Sequence, residues 1–215
     1  MDTKHILVIG ATKGIGLAVT DEALERGHRV RAFARSAKEM ARDHPRLEKR
    51  SGDATDEGDV AAAVDGIDAV VMALGVKEGV GMVVRETTLF SRATEVLIPA
   101  MQAAGVDRVI AVTGIGTSES RSALSAVERL PWRAVLGRVY DDKTRQETLL
   151  RGSGLTWTFV RPTILTNGPR TGDYRVLADA ASWRNGLISR KNVAHFVVGE
   201  VETGTYAGQG PVLAR

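Results

Sequence analysis

The chain has 215 residues, of which 43% are hydrophobic and 26% are charged, and its formal net charge at pH 7 is +3. This length and composition are typical of one soluble globular domain with a sizeable hydrophobic core. Because the sequence contains no cysteine, disulfides, thiolate metal ligands and a cysteine nucleophile are excluded.

The sequence also restricts the location and the partners. It has no run of 18 apolar residues, so no membrane-spanning helix is expected. The first apolar run ends at Gly10 and is too short for a secretory signal, which favours a cytoplasmic protein. The positive charges are scattered, which indicates a solvated surface, and such a diffuse positive field favours a polyanionic cofactor. The sequence has no nucleic-acid motif and no metal site, so the predicted partner is a small-molecule substrate.

Short β-branched runs alternate with longer helical stretches along the chain. The predicted strands are residues 6–9, 29–34, 46–51, 68–73, 107–112 and 156–160. The predicted helices are residues 14–26, a short segment after 34, and residues 56–64, 87–104 and 137–151, followed by a strand at 186–189, a helix at 192–202 and a terminal strand. Apolar strands separated by helices indicate a parallel sheet covered on both faces. Right-handed crossovers then give an α/β, doubly wound Rossmann fold, with residues 1–215 as one domain.

Two further segments have predicted roles beside the sheet. Residues 75–85 are rich in glycine and predict a mobile loop. Residues 162–187 have weak periodicity and predict a small cap on the substrate side.

A glycine-rich turn follows the first predicted strand and opens the first helix. Gly10 allows the tight turn, Gly14 lets the backbone approach a pyrophosphate, and Gly16 permits close packing of helix on strand. The helix N-terminus adds free N–H groups and a partial positive charge. The predicted dinucleotide-binding residues of this turn are Gly10, Thr12, Lys13, Gly14, Ile15 and Gly16.

The ends of the second and third strands indicate which dinucleotide binds. NAD-binding proteins usually place a carboxylate about 20 residues after the glycines, whereas this chain has Arg35 and Ser36 there. A guanidinium binds a 2′-phosphate through a forked, charge-assisted contact, with Lys13 as a second cation, so NADP(H) is predicted. The alternative is that Arg35 is only a surface charge at a strand end.

After the third strand come Asp53 and Ala54. The carboxylate of Asp53 is predicted to accept a hydrogen bond from the adenine amino group or, alternatively, to cap the next helix.

Several segments together resemble a known family. They are residues 10–16, 52–53, 73–75, 104–109, 141–143, 150–155, 160–162, 168–172 and 188–196. The chain resembles the atypical short-chain dehydrogenase/reductases, in the branch that contains NmrA-like proteins and the biliverdin/flavin reductases. This resemblance implies that further residues line the cofactor after the fourth, fifth and sixth strands, namely Leu74, Gly75, Val112, Thr113, Pro162, Thr163 and Ile164.

The resemblance also implies a catalytic pair, which this chain keeps only in part. The family uses a tyrosine as proton donor and a lysine four residues later that holds the ribose and lowers the pKa of the tyrosine. Lys143 stands at the lysine position, but Val139 stands where the tyrosine belongs. Tyr140 lies three residues before the lysine, so it is either a substitute donor or a structural residue. Lys143 itself either contacts the cofactor or forms a surface pair with Glu147.

Two other positions depart from the reductase pattern. Gly114 stands where the biliverdin/flavin reductases have a serine, and Thr163 stands where they have a histidine. Thr113 is then the nearest hydroxyl and is predicted to orient the carboxamide or a substrate carbonyl.

Three functions follow from these observations. The first is an NADPH-dependent reductase of a flavin, a quinone or a similar planar acceptor, because solvent can protonate such a product after hydride transfer. The second is a non-catalytic NADP(H)-binding redox sensor with a protein partner, which the missing tyrosine favours. A sugar-nucleotide epimerase of the extended type is disfavoured because the chain is short for the usual substrate domain.

Overall fold

The structure is a computed structural model that describes residues 2–75, 88–123 and 126–215, and the side chains of residues 122–136 lie outside this description. Its strands are β1 (His5–Ile9), β2 (Arg29–Ala34), β3 (Leu47–Ser51), β4 (Ala69–Met72), β5 (Arg108–Val112), β6 (Thr156–Pro162), β7 (Ile164–Thr166), β8 (Arg175–Leu177), β9 (Leu187–Ser189) and β10 (Val212–Ala214). Its α-helices are α1 (Gly14–Glu25), α2 (Glu57–Val64), α3 (Leu89–Ala103), α4 (Ala126–Arg151) and α5 (Arg190–Thr203). Short 3₁₀ turns lie at Ala37–Glu39, Ser118–Ala123 and Ala180–Ser182.

Eight of the strands form one sheet, in the order β3-β2-β1-β4-β5-β6-β10-β8. Neighbours from β3 through β10 are parallel, and only β8, at the edge beside β10, is antiparallel. The strand order reverses between β1 and β4, which places the topological switch point at the end of β1. The predicted single-domain, doubly wound Rossmann fold is therefore confirmed.

Residues that alternate along the strands face two separate hydrophobic cores. On one face, Ile6 and Val8 of β1 pack with α1 and α5. On the other face, Leu7 and Ile9 pack with α2 and α3. All four side chains are at most 1% exposed, and each fully buried aliphatic side chain contributes about 1.5–3 kcal/mol to folding. The sheet is thus a rigid platform whose strand ends are fixed from both sides.

A carboxylate on α4 holds the beginning of α3. Asp142 is 1% exposed and accepts hydrogen bonds from the backbone N–H of Phe90 at 2.8 Å and from the hydroxyl of Ser91 at 2.5 Å. Thr88, which precedes α3, makes no capping bond through its own side chain. Asp142 therefore satisfies an N–H donor that the start of a helix leaves unpaired and fixes α4 beside the start of α3.

The structure differs from the sequence predictions in two places. Helix α4 begins at Ala126, not at 137; Pro131 and Gly137 both lower the helix propensity of that stretch. The predicted cap at 162–187 contains two unpredicted strands, β7 and β8, which have three residues each and are too short for a periodic pattern. One of them, β8, extends the main sheet, while β7 pairs with β9 in a separate two-stranded sheet.

Two other expectations concern segments beside this platform. The predicted loop at 75–85 lies outside the described residues apart from Gly75. Within the described part of the chain, no helix combines the length and the apolar character needed to cross a membrane.

Candidate dinucleotide-binding site

Apart from Lys143, which lies on α4, the residues predicted to bind a cofactor lie at or just after the C-terminal ends of strands β1 to β6. Because these strands are parallel, their C-terminal ends lie along one edge of the sheet. Arg35 follows β2, Asp53 follows β3, Gly75 follows β4 and Thr163 follows β6. The fold thus places residues that are far apart in sequence along the edge where ligands bind in open α/β sheets.

The three glycines of the first turn have different surroundings. A Cβ on Gly10 would lie 2.7 Å from the carbonyl oxygen of Ala73, and a Cβ on Gly16 would overlap the carbonyl oxygen of Gly10. These two positions require glycine for packing. A Cβ on Gly14 would instead project into open space, where the nearest described atom is Nε of Arg190 at 4.0 Å.

The open position at Gly14 fits the phosphate groups of a dinucleotide. Gly14 is exposed and has a φ of 58°, and it begins α1, whose first turn carries no acidic side chain. The turn therefore offers unpaired backbone N–H groups and the positive end of a helix to an anion, without a competing carboxylate. Lys13, also exposed, precedes it, while Thr12 and Ile15 are partly buried.

The ends of β2 and β3 bring Arg35 next to Asp53. Both side chains are exposed. Hydrogen bonds from Thr55, at 2.9 Å from its backbone N–H and 2.8 Å from its hydroxyl, hold the pKa of Asp53 below its usual value, and the charge of Arg35 lowers it further. The carboxylate is therefore ionised and oriented at neutral pH. Helix α2 is capped by Asp56, which accepts a hydrogen bond from Asp59 N–H at 2.8 Å, so the capping alternative for Asp53 is wrong.

Lys143 lies on α4, and its ammonium group reaches the end of β5. Its ammonium donates hydrogen bonds to the backbone carbonyls of Thr113 at 2.7 Å and Val112 at 3.2 Å, and it lies 4.8 Å from the ring centroid of Phe90. Burial lowers the pKa of Lys143 to about 8, and the nearby charge of Glu147 opposes this shift. The group is therefore protonated at neutral pH. Two of its three N–H donors are used by the backbone, which leaves one for a ligand.

The predicted alternative, a surface pair between Lys143 and Glu147, is wrong because Glu147 is fully buried. Its carboxylate accepts hydrogen bonds from the Thr113 and Thr117 hydroxyls at 2.8 and 2.7 Å. It also pairs with Arg161, likewise fully buried, at 2.7 Å. No local sequence pattern indicates this pair, because its members lie 14 residues apart on α4 and β6. One helix thus anchors the end of β5 twice, through Lys143 and through Glu147.

Tyr140 and Gly114 are adjacent in space. A Cβ on Gly114 would lie 2.9 Å from the hydroxyl oxygen of Tyr140. The tyrosine hydroxyl therefore occupies space that a serine side chain at position 114 would need. Burial raises the pKa of Tyr140 to about 12, so the phenol is protonated at neutral pH and is a weaker acid than free tyrosine. Val139, at the family's tyrosine position, is 5% exposed and part of the packed interior.

The segment after β6 combines a buried polar residue with an exposed apolar pair. The hydroxyl of Thr163 donates to the carbonyl of Leu213 at 3.0 Å and is buried, and Pro162 is buried as well. Ile164 is 46% exposed and pairs in register with Leu187, which is 55% exposed. These two side chains present an apolar surface beside the predicted nicotinamide end of the site.

The other predicted contacts are arranged as follows. Ser36 is partly buried and precedes the first 3₁₀ turn without capping it through its side chain. Ala54 is 9% exposed, and Leu74 is partly buried against the core under α2 and α3. Val112 is 6% exposed, and the Thr113 hydroxyl is directed at Glu147.

The glycine turn, the switch point and the aligned strand ends define a Rossmann-type dinucleotide-binding protein. A family model described as NAD(P)H-binding matches residues 10–203, and the chain belongs to that family. It is 29% identical over 204 residues to an uncharacterized sugar epimerase of Bacillus subtilis, YhfK, a match that covers 92% of this chain and 87% of the relative.

Solved structures agree with this assignment. An anaerobilin reductase of Escherichia coli O157:H7, ChuY, superposes with a TM-score of 0.80 at 25% identity, covering 98% of this chain and 96% of that protein. A short-chain dehydrogenase/reductase of Veillonella parvula in complex with NADP has a TM-score of 0.84 at 20% identity, covering 100% and 95% of the two chains; this second likeness shows the fold alone. The NAD(P)H-binding family that the resemblance inferred from sequence implies is confirmed.

Proposed function

We propose that this protein is an NADPH-dependent reductase that transfers a hydride to a flavin, a quinone or a similar planar acceptor. One observation carries the choice of acceptor, namely the unactivated phenol of Tyr140. Its pKa is raised to about 12 by burial, and the neighbouring ammonium of Lys143 is hydrogen-bonded to backbone carbonyls. The site therefore has the lysine of the family but no tyrosine prepared to give up a proton near neutral pH.

This arrangement suits acceptors that need no side-chain acid. When bound, the nicotinamide supplies the hydride, and the planar acceptor takes it together with one proton from solvent. Flavins and quinones delocalise the negative charge that develops during transfer. An aliphatic ketone concentrates that charge on one oxygen, where a positioned proton donor is worth about 10²–10⁴ in rate.

The exposed apolar pair supports a planar substrate. Ile164 and Leu187 lie directly opposite each other on β7 and β9, and neighbouring Leu165 and Ile188 point into the core. Placing a flat ring on the outer pair would remove apolar area from water at about 25 cal/mol per Å². The proposed reductase thus has an apolar surface that can bind the acceptor, in addition to the glycine turn that can bind the cofactor.

The choice of NADPH over NADH rests on Arg35. We expect Arg35→Ala to weaken NADPH binding by ~1–3 kcal/mol, because a charge-assisted contact to the 2′-phosphate is lost. Binding of NADH should be nearly unchanged. Titration calorimetry with both cofactors measures this difference directly.

The matched control is Arg29→Ala. Arg29 is an exposed arginine at the other end of the same strand, β2, so this variant loses the same charge away from the site. NADPH affinity should stay within twofold of the wild-type value. The assignment to NADP is refuted if the unmodified protein binds NADH as tightly as NADPH.

The reductase activity itself is tested with a panel of acceptors. We expect NADPH oxidation, followed by loss of absorbance at the reduced nicotinamide band, with flavins and quinones, and rates about 10²–10⁴ lower with aliphatic ketones. Lys143→Ala should impair cofactor use, since it removes the ammonium group whose third N–H donor is not used by the backbone carbonyls at the end of β5. Faster turnover of ketones than of quinones would contradict the proposal.

Tyr140→Phe separates solvent protonation from protonation by the phenol. Because burial already makes this phenol a weak acid, we expect the variant to turn over quinone at nearly the wild-type rate. A large fall in kcat with unchanged cofactor affinity would make Tyr140 the proton donor instead.

A second candidate function is a non-catalytic NADP(H)-binding sensor that contacts a protein partner. The observation that favours it is the buried valine, Val139, at the position of the family's tyrosine. Tight NADPH binding without turnover of any acceptor in the panel would select this function over the reductase.

A further inference from the structure

An arginine from the last helix lies next to the glycine turn. Arg190 is the first residue of α5, 176 positions after Gly14 in the sequence. Its Nε lies 4.0 Å from the place where a Cβ on Gly14 would stand. Its guanidinium therefore borders the open position that a pyrophosphate would approach.

A neighbouring side chain orients this arginine. The Nη1 group of Arg190 donates a hydrogen bond to Oδ1 of Asn167 at 2.7 Å. That bond leaves the other N–H donors of the guanidinium available. Asn167 has no charge to neutralise the arginine, so the positive charge is preserved beside Gly14.

The segment that carries Asn167 is itself fixed to α5. Ser189 donates a hydrogen bond to the carbonyl of Pro169 at 2.9 Å. The amide oxygen of Asn192 accepts bonds from the backbone N–H groups of Thr171 at 2.9 Å and Gly172 at 3.1 Å. The position of Arg190 is therefore set by several bonds between two segments and does not depend on one flexible side chain.

We propose that Arg190, oriented by Asn167, binds the pyrophosphate of the dinucleotide together with the glycine turn. This inference rests on the proposed cofactor-binding function and adds a binding residue to it. A dinucleotide pyrophosphate carries two negative charges, and the backbone of the turn supplies neutral N–H groups and a helix dipole. A guanidinium within contact distance gives that charge a cationic partner with forked donors. Arg190 and Asn167 directly follow β9 and β7, and they therefore lie together at the C-terminal end of this parallel two-stranded sheet.

The test uses ligands that contain different parts of the cofactor. Calorimetric titrations of the full chain compare NADPH, ADP-ribose, which has the pyrophosphate, and 2′-AMP, which lacks it. We expect Arg190→Gln to weaken NADPH and ADP-ribose at least about tenfold, the usual effect of losing a charge-assisted contact, and to leave 2′-AMP within twofold. Asn167→Ala, a change at a positioning residue, should weaken ADP-ribose by a smaller factor and also spare 2′-AMP.

Lys191→Gln is the matched control. It removes the same charge from the adjacent, exposed position and should leave all three affinities unchanged, which excludes a general electrostatic effect. Wild-type affinity of Arg190→Gln for ADP-ribose, or an equal loss for 2′-AMP, would overturn the inference about Arg190. Failure of the unmodified protein to bind NADPH would overturn the cofactor proposal as well. NADPH binding with the expected losses but no turnover would support Arg190 and refute only the reductase.

Discussion

Replacing Glu147 with alanine is expected to lower the free energy of unfolding by about 3–5 kcal/mol, because it leaves a buried arginine without its main partner. The side chain of Arg161 is fully buried. After the replacement it would retain the half-exposed carboxylate of Glu119 at 2.9 Å and the carbonyl of Gly210 at 3.1 Å. The hydroxyl of Thr113 would lose its acceptor at the same time. Urea unfolding followed by circular dichroism measures the change.

Two further variants show whether the buried charge is the cause. Glu48→Ala breaks the ion pair of Arg31 with a carboxylate that is 43% exposed, and this should cost less than about 1 kcal/mol. The double variant Glu147→Leu with Arg161→Met removes both charges and should be more stable than Glu147→Ala. The single variants Glu147→Leu and Arg161→Met are measured as well. If the double variant loses as much free energy of unfolding as these two variants together, the charges do not interact and the two side chains act through packing alone.

The sequence predicted those parts of the fold that depend on local patterns. The run from Ile6 to Ile9 is apolar and β-branched, and the spacing of Gly10, Gly14 and Gly16 has meaning only between a strand and a helix. Since parallel strands end at one edge, the order of strands and helices was enough to group Arg35 and the glycines near one site.

The contacts that the sequence could not predict join residues on different elements. An i,i+4 spacing suggested that Glu147 pairs with Lys143, but burial and the approach of β6 make Arg161 its partner. The glycine at position 114 and the tyrosine at position 140 were two separate departures from the family pattern. In the structure they are one feature, since the phenol fills the space above the glycine. Such pairs depend on helix packing angles, which hydrophobic periodicity does not determine.

Gly14→Val is expected to abolish measurable binding of both NADPH and NADH while the protein stays folded. Valine at this position would place two methyl groups in the open space beside Arg190 where the pyrophosphate must approach. A branched residue at a φ of 58° also costs about 1–2 kcal/mol of stability. Substitutions at Gly10 or Gly16 would be less informative, because their Cβ atoms would collide with backbone carbonyls and disturb the fold itself.

Gly66→Val separates lost binding from backbone strain. Gly66 has a φ of 68°, and nothing described lies within 4 Å of its missing Cβ; it precedes β4, at the opposite edge of the sheet from the glycine turn. This variant should lose similar stability in urea unfolding and keep wild-type affinity for NADPH. Gly14→Ala should be intermediate, since one methyl group blocks less of the space. If Gly14→Val bound NADPH normally with an unchanged circular dichroism spectrum, the pyrophosphate would have to bind elsewhere, because no dinucleotide can occupy the glycine turn and tolerate that side chain.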